Sequence, residues 1–141
     1  MSLSCPVWSY DREMAKSYAE LFSPVAGAEA GKALHLMKPA DFVNALKAGK
    51  DFVVIDIRTP AETDIFTVAL PNHLVIPANE LFQPENLDRI PTDKTVVIIC
   101  SSGSRAIAVG TALRHIGLEN IYILKGGFKD LSSYLGPSEA N

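Results

Sequence analysis

Apolar runs of strand length alternate with helical patterns along most of this chain. The strand-like runs fall at residues 33–36, 52–57, 74–76, 95–99 and 121–124. Helical patterns lie between them, at residues 39–49, 78–82, 85–89, 104–116 and 128–134. Strands that alternate with helical segments are typical of a parallel sheet covered by helices on both faces. The pattern therefore predicts an α/β fold with three layers, α/β/α, around a five-stranded parallel sheet.

Residues with preferred positions at helix ends support several of these boundaries. Pro39 suits a first helical turn, and Gly49 suits the residue beyond the last turn. Residues 59–62 have the spacing of a capping box, with Pro60 at the first helical position. Gly117 is the expected C′ residue of the helix over 104–116.

The first 31 residues differ in pattern from the rest and are interpreted as an N-terminal extension. Apolar side chains recur there at helical spacing: Tyr10, Met14, Tyr18, Leu21 and Phe22. Pro24 and the Ala/Gly-rich residues 26–31 predict a stop and a linker. We expect the amphipathic helix to pack on its own domain, with a partner or dimer contact as the alternative. Residues 32–136 are the expected main domain, and residues 137–141 a C-terminal tail.

Composition narrows the class of protein. A chain of 141 residues with 48% hydrophobic and 21% charged residues suits one globular domain. A net charge of −3 gives no general signal for nucleic acid or membrane binding, and no apolar run approaches the length of a membrane span. The two cysteines, Cys5 and Cys100, make no disulfide framework. No His, Cys and carboxylate cluster has the spacing of metal ligands, and we expect neither a metal nor a cofactor.

Cys100 carries the clearest chemical signal. It ends an apolar strand and is followed by four small residues, Ser101, Ser102, Gly103 and Ser104, then by Arg105 and a helical pattern. This arrangement predicts a thiol in a ring of backbone N–H groups at a helix N-terminus, which favours an anion. We therefore interpret Cys100 as a thiolate nucleophile and the five residues after it as its substrate-binding loop. The alternative is an inert cysteine in a strand-to-helix turn.

Several segments together resemble the rhodanese domain, and the chain is most similar to single-domain rhodaneses. Residues 54–62 (V-I-D-I-R-T-P-A-E) resemble the family's D-[VI]-R-x-x-x-E, and residues 70–77 (L-P-N-H-L-V-I-P) resemble I-P-G-A-x-N-I-P. Residues 100–105 resemble the six-residue active loop, and residues 118–127 the G-[FL]-x-N-V-Y-x-L-x-G-G ending. The chain departs from the family pattern at residues 68–70, at residues 72–73, and near Leu131, where the family usually has tryptophan.

The resemblance implies sulfur transfer through a Cys100 persulfide. Its donor would be thiosulfate or a persulfide, and its acceptor cyanide, a thiol or a carrier protein. Related cell-cycle phosphatases and arsenate reductases have C-x5-R, whereas this chain has C-x4-R. The tighter ring disfavours phosphate or arsenate and suits a sulfur atom carried on Cys100. A second hypothesis, from a different class, is a rhodanese-like binding or regulatory module without catalysis.

Other polar residues have weaker signals. Asp56 and Arg58 lie at the end of the second strand, at the same edge of the sheet as Cys100. Asp56 is expected to stabilise the turn into the next helix, with an effect on the Cys100 loop or a contact with Arg58 as the alternative. Arg58 and Glu62 have the i, i+4 spacing of an ion pair. His73 is expected to be a surface turn residue, with a role at the mouth of the site as the alternative. A free Cys100 suits the cytoplasm, and a periplasmic location follows only if a leader was removed.

Overall fold

The computed structural model describes residues 9–136, so Cys5 and the predicted tail at residues 137–141 lie outside the described residues. Within residues 9–136, five strands form one parallel sheet in the order β1-β5-β4-β2-β3. The strands are β1 Leu36–Met37, β2 Phe52–Asp56, β3 His73–Val75, β4 Thr95–Ile99 and β5 Ile121–Leu124. The predicted α/β fold with a five-stranded parallel sheet is confirmed.

Seven α-helices occur in the described residues 9–136. They are α1 Arg12–Phe22, α2 Ala30–Ala33, α3 Pro39–Lys47, α4 Pro60–Thr63, α5 Pro84–Leu87, α6 Ser104–His115 and α7 Gly127–Tyr134. The predicted capping box of α4 is present, with Thr59 accepting from the Glu62 amide and Glu62 accepting from the Thr59 amide. Gly117 has a φ of 112° just beyond α6, as its predicted place at the C′ position requires.

The apolar core lies on both faces of the sheet. Successive residues of β4 alternate between them: Val96 and Ile98 pack with Ala106 and Leu113 of α6. Their neighbours Val97 and Ile99 pack on the other face, in a cluster that also contains Phe42, Val43, Phe128 and Leu131 from α3 and α7. Burial on both faces explains why this strand is a continuous apolar run.

The predictions for residues 26–36 were partly wrong. A linker was expected at residues 26–31 and a strand at residues 33–36, but a 3-10 turn spans Gly27–Glu29 and α2 spans Ala30–Ala33. His35 then has a φ of 57°, a left-handed conformation that ends α2 in the manner of a C′ residue. The strand β1 therefore begins only at Leu36. Likewise, residues 78–82 form turns rather than the predicted helix.

The N-terminal helix α1 packs at the far end of α6 from Cys100. The ring of Tyr18 stacks on His115, the last residue of α6, with 4.1 Å between ring centres. Ser17 Oγ lies 3.0 Å from His115 Nε2. These contacts agree with packing on its own domain, although no residue of α1 is buried. Within residues 9–136, no helix is both long and apolar enough to cross a membrane.

Candidate active site

The site lies where the carboxyl ends of β2 and β4 meet. These strands are neighbours, and Asp56 at the end of β2 is in register with Ile99 at the end of β4. The chain leaves β2 toward α4 and leaves β4 through residues 100–103 toward α6. In a parallel α/β sheet, ligands bind at this edge, because the loops after the strands converge there.

Cys100 lies at the base of the loop and is 1% exposed. Its Sγ accepts hydrogen bonds from the Gly103 amide at 3.1 Å and the Ala106 amide at 3.4 Å. Gly103 has a φ of 99°, which favours glycine and turns its N–H back toward the sulfur. Two backbone donors at the start of α6, together with the positive end of the helix dipole, stabilise negative charge on this sulfur.

Arg105 is held by Glu62 rather than left free in the mouth of the loop. Its Nη1 donates to Glu62 Oε2 and its Nη2 to Glu62 Oε1, both at 2.9 Å. Ser101 joins the pair, since its Oγ donates to Glu62 Oε1 at 3.0 Å and accepts from Arg105 Nη2 at 3.1 Å. This bidentate contact ties the loop after β4 to the helix after β2.

Glu62 and Arg105 each stabilise the ionised form of the other. The Arg105 guanidinium, and next the Thr59 amide, hold the pKa of the Glu62 carboxyl well below its usual range. In turn, the hydrogen bonds to Glu62 raise the pKa of Arg105. The pair is therefore ionised throughout the physiological pH range, and the charge of Arg105 is balanced by its partner.

The predicted ion pair between Arg58 and Glu62 was wrong. Arg58 instead pairs with Asp56, with 2.9 Å between Nη2 and Oδ2, and both side chains are almost fully buried. The i, i+4 rule failed because the four residues of α4 begin only at Pro60, so Arg58 is not on a helix face. Glu62 is thereby free to reach across to Arg105.

Asp56 and Arg58 shape the wall beside the loop. Asp56 also accepts from the Arg58 amide at 3.1 Å and from Thr67 Oγ1 at 2.8 Å. The guanidinium of Arg58 lies over two aromatic rings, 4.4 Å from the centre of Phe66 and 4.2 Å from that of Phe128. The two rings meet edge to face at 5.2 Å. The buried Asp56 carboxylate thus holds Arg58 in place, and Arg58 in turn holds the rings of Phe66 and Phe128 beside the loop.

The start of α7 holds the loop from the other side. The Phe128 amide donates to the Cys100 carbonyl at 2.9 Å, and the Lys129 amide donates to the Ser101 carbonyl at 3.0 Å. Gly127 makes this approach possible, because a Cβ at this position would overlap the Cys100 carbonyl oxygen. With the carbonyls of Cys100 and Ser101 bound outward to α7, the loop has a fixed backbone around the sulfur.

An open cavity of about 340 Å³ lies beside the loop. Its apolar wall consists of Ile65, Phe66 and Phe128, and Ser101 marks its border with the loop. Two cations line it, Arg58 and Lys129. This volume lies in the range of small-molecule binding sites.

The structure brings most of the predicted site residues together. The Gly103 amide donates to the Cys100 thiol, and the side chains of Ser101 and Arg105 bind Glu62. The side chains of Ser102 and Ser104 are exposed to solvent. Asp56 and Arg58 lie beside the loop. His73 lies away from the loop, because it is the first residue of β3 and so lies at the amino end of the strands. Its Nδ1 bonds to the Leu70 carbonyl.

Sequence reasoning missed four residues around the loop: Glu62, Phe66, Phe128 and Lys129. A signal was available only for Glu62. Its capping box places it in the first turn after β2, and a helix at that point faces the loop of the neighbouring strand β4. Phe66 follows α4 in a segment without regular structure, where no hydrophobic period reveals its position.

Known proteins share both the sequence pattern and the fold. A model of the rhodanese-like domain matches residues 38–134. A protein named sulfurtransferase from Allochromatium vinosum is 36% identical over 78 residues, which cover 55% of this chain and 69% of that protein. The crystal structure of a rhodanese-related protein from Thermoplasma volcanium has a TM-score of 0.59 at 29% identity and covers 70% of this chain and 91% of its own.

A longer relative contains a similar region. A probable adenylyltransferase/sulfurtransferase MoeZ from Mycobacterium tuberculosis is 28% identical over 99 residues, or 70% of this chain. The present chain spans about a quarter of that relative. The family match, the parallel sheet and the cysteine loop agree, and the chain belongs to the rhodanese-like domain family.

Proposed function

We propose that this protein is a sulfurtransferase in which Cys100 carries the transferred sulfur as a persulfide. The observation that carries the proposal is the environment of Cys100 Sγ. This sulfur accepts hydrogen bonds from two backbone amides at the start of α6, and four small residues separate Cys100 from Arg105. The sulfurtransferase names of the relatives from Allochromatium vinosum and Mycobacterium tuberculosis support it.

The reaction has two steps. The Cys100 thiolate attacks the outer sulfur of thiosulfate, the S–S bond breaks, and its electron pair leaves with sulfite. The enzyme then holds Cys100–S–S⁻, whose charge the loop amides stabilise as an oxyanion hole does. A thiophilic acceptor attacks the outer sulfur and restores the thiolate, giving thiocyanate from cyanide or a persulfide from a thiol. A reducing compartment such as the cytoplasm keeps Cys100 available for this cycle.

Arg105 serves this chemistry by positioning the loop. Both of its terminal nitrogens donate to Glu62, so its charge is already balanced. The guanidinium fork holds two carboxylate oxygens at once, which a lysine ammonium cannot do in the same geometry. Arg105 thereby fixes the carboxyl end of the loop relative to α4.

Transfer of sulfur from thiosulfate to cyanide, measured as thiocyanate, tests the proposal. We expect turnover for the wild type and none for Cys100→Ser. Arg105→Ala is expected to weaken use of the donor, and Arg105→Lys to be nearly as impaired, because the fork and not the charge holds the loop. Arg89→Ala, on an exposed turn, is the matched control and should behave as the wild type. Undiminished turnover by Cys100→Ser would refute the proposal.

The second candidate is a binding module without catalysis, and exposed side chains on α1 and next to it favour it. Tyr10, Met14 and Phe22 are all exposed large apolar residues. Capture of the same partner by the wild type and by Cys100→Ala, together with no sulfur on Cys100 of the wild type, would support this module over the enzyme.

A further inference from the structure

We infer that two copies of this protein associate through the free edge of β3, so that their two sheets join into one continuous sheet. The two β3 strands run antiparallel about a twofold axis. This strand ends the sheet and is separated from β4 by β2. The inference therefore concerns a surface other than the Cys100 loop and does not depend on the proposed function.

The peptide groups on the free side of β3 belong to His73 and Val75. The Asn72 carbonyl and the Ile76 amide both bond to β2, each at 3.1 Å. Because alternate residues of an edge strand direct their peptide groups toward its neighbour, the odd-numbered residues of β3 face outward. In the described part of the chain, no residue forms a hydrogen bond with the backbone amide or carbonyl of His73 or Val75.

A second β3 satisfies all of these outward groups. With Leu74 opposite Leu74 of the second copy, each His73 lies opposite a Val75. Residues opposed in this way in an antiparallel pair exchange both of their backbone hydrogen bonds. Pro71 and Pro77 are the next outward-facing residues and have no amide N–H, so they end the ladder at this register. The twofold match between the same two residues favours a second copy over an unrelated strand.

This edge lacks the charges that normally keep two sheet edges apart. Residues 65–79 contain no aspartate, glutamate, lysine or arginine, and Val75 is 37% exposed. The edge formed by β1 differs, because three lysines line a cavity beside it, Lys32, Lys38 and Lys125. Charged side chains, lysines above all, usually protect a free edge against pairing. Only the β1 edge has this protection among the described residues.

The candidate active sites are not part of this contact. The strands of each sheet are parallel, and the two sheets run in opposite directions across the twofold axis. The carboxyl ends of β2 and β4 therefore point in opposite directions in the two copies. Each Cys100 lies at its own end of the joined sheet.

Sedimentation velocity of the full chain over a range of concentrations tests the inference. We expect the wild type to pass from monomer to dimer at concentrations below about 1 mM. Val75→Lys places like charges on both sides of the axis and should raise the dissociation constant at least about tenfold. Val75→Thr keeps a neutral, branched side chain and should dimerise nearly as well as the wild type.

Ile107→Lys is the matched control for added charge. Ile107 is 43% exposed and lies on α6, so its replacement adds the same charge to the protein away from β3. The dissociation constant should stay within about twofold of the wild-type value. Circular dichroism of both lysine variants checks that the fold is kept.

Amide hydrogen exchange of the wild type locates the contact without any substitution. On dimerisation, the amides of His73 and Val75 should exchange at least about tenfold more slowly. The Ile76 amide, which already bonds to the Asp56 carbonyl, should change much less.

Three outcomes overturn the inference. The first is a wild type that stays monomeric up to about 1 mM, which excludes the second copy as the occupant of this edge. The second is a dimer in which the His73 and Val75 amides exchange as fast as in the monomer. The third is equal weakening by Val75→Lys and Ile107→Lys. In the last two cases the copies meet through another surface, such as the exposed side chains of α1.

Discussion

Glu62 has two structural roles in this protein. Its carboxylate closes the capping box at the start of α4, and the same carboxylate binds Arg105 in the first turn of α6. Its spacing from Arg58 indicated a different partner, because a local rule was applied across a segment that is not helical. The residues that a sequence reveals best here are those whose role depends on immediate neighbours, such as Thr59 and Cys100. Contacts between elements that are distant in sequence, such as that of Glu62 in α4 with Arg105 in α6, depend on the order of strands in the sheet.

Replacing Glu62 by glutamine should loosen the loop. The charge-assisted bidentate pair is lost at a half-exposed site, and we expect a cost of about 1 kcal/mol in the free energy of unfolding. Urea denaturation measures it, with Glu85→Gln on the exposed first turn of α5 as the control. A loss no larger than that of the control would show that the pair does not stabilise the protein.

The effect of Glu62→Gln on the free energy of unfolding should depend on pH. The folded pKa of Glu62 lies below the ordinary value of 4.5, so its contribution is complete above that pH and is lost as the pH falls through the lower folded value. The difference in unfolding free energy between the wild type and Glu62→Gln should therefore be constant from pH 7 down to about pH 5 and shrink in stronger acid. A difference that grew on acidification would contradict the assigned pair.

Asp56 and Asp51 offer a direct comparison of a buried and an exposed ion pair. Asp56→Asn leaves the buried Arg58 without its counter-charge, and we expect a loss of about 3–5 kcal/mol in unfolding free energy. Asp51→Asn breaks an exposed pair with Lys94 and should have little effect. Denaturant titration of both variants checks this, and equal losses would contradict the structural role given to Asp56.

At the scale of elements, α7 contacts the loop that begins at Cys100. The amides of Phe128 and Lys129 bind two loop carbonyls, and Gly127 permits the close approach. The sequence predicted α7 and the double glycine before it, together with most of the other strands and helices. It did not predict α2, because an Ala/Gly-rich segment was read as a linker although its alanines favour a short helix.

The variant Gly127→Ala tests whether the contact of α7 with the carbonyls of the loop positions Cys100. The added Cβ overlaps the Cys100 carbonyl and requires a φ of 59°, so we expect both lower stability and much slower sulfur loading of Cys100. Gly49→Ala is the matched control, since its φ is 79° but no atom lies within 4 Å of the added Cβ. That variant should lose about 1 kcal/mol of stability and load sulfur normally. Equal loading in both variants would show that α7 does not position the loop.

At the scale of the whole molecule, α1 and the candidate active site lie at opposite ends of α6. The helix is attached through Tyr18 and Ser17 to His115, whereas Cys100 lies at the start of α6. The alternating pattern predicted the three layers and the parallel strands. The order of the strands, and with it the pairing of loops after β2 and β4, became apparent only in the structure, because neighbours in a parallel sheet need not be neighbours in sequence.

The variant Tyr18→Ala should therefore weaken the packing of α1 on α6 without changing the sulfur loading of Cys100. Loss of the stack on His115 is expected to speed amide hydrogen exchange in α1 about fivefold, while exchange in α6 and sulfur loading of Cys100 stay unchanged. Tyr10→Ala removes an exposed ring beside the same helix and is the control. Slower sulfur loading in Tyr18→Ala alone would show that the two ends of the molecule are coupled.

The most direct measurement of the proposed chemistry is intact-protein mass spectrometry after incubation with thiosulfate. We expect the wild type and Cys5→Ser to gain one sulfur atom that a reductant removes, with the modification on Cys100, and Cys100→Ser to gain none. Absence of added sulfur on Cys100 of the wild type, or its presence on the Cys100→Ser variant, would contradict a Cys100 persulfide.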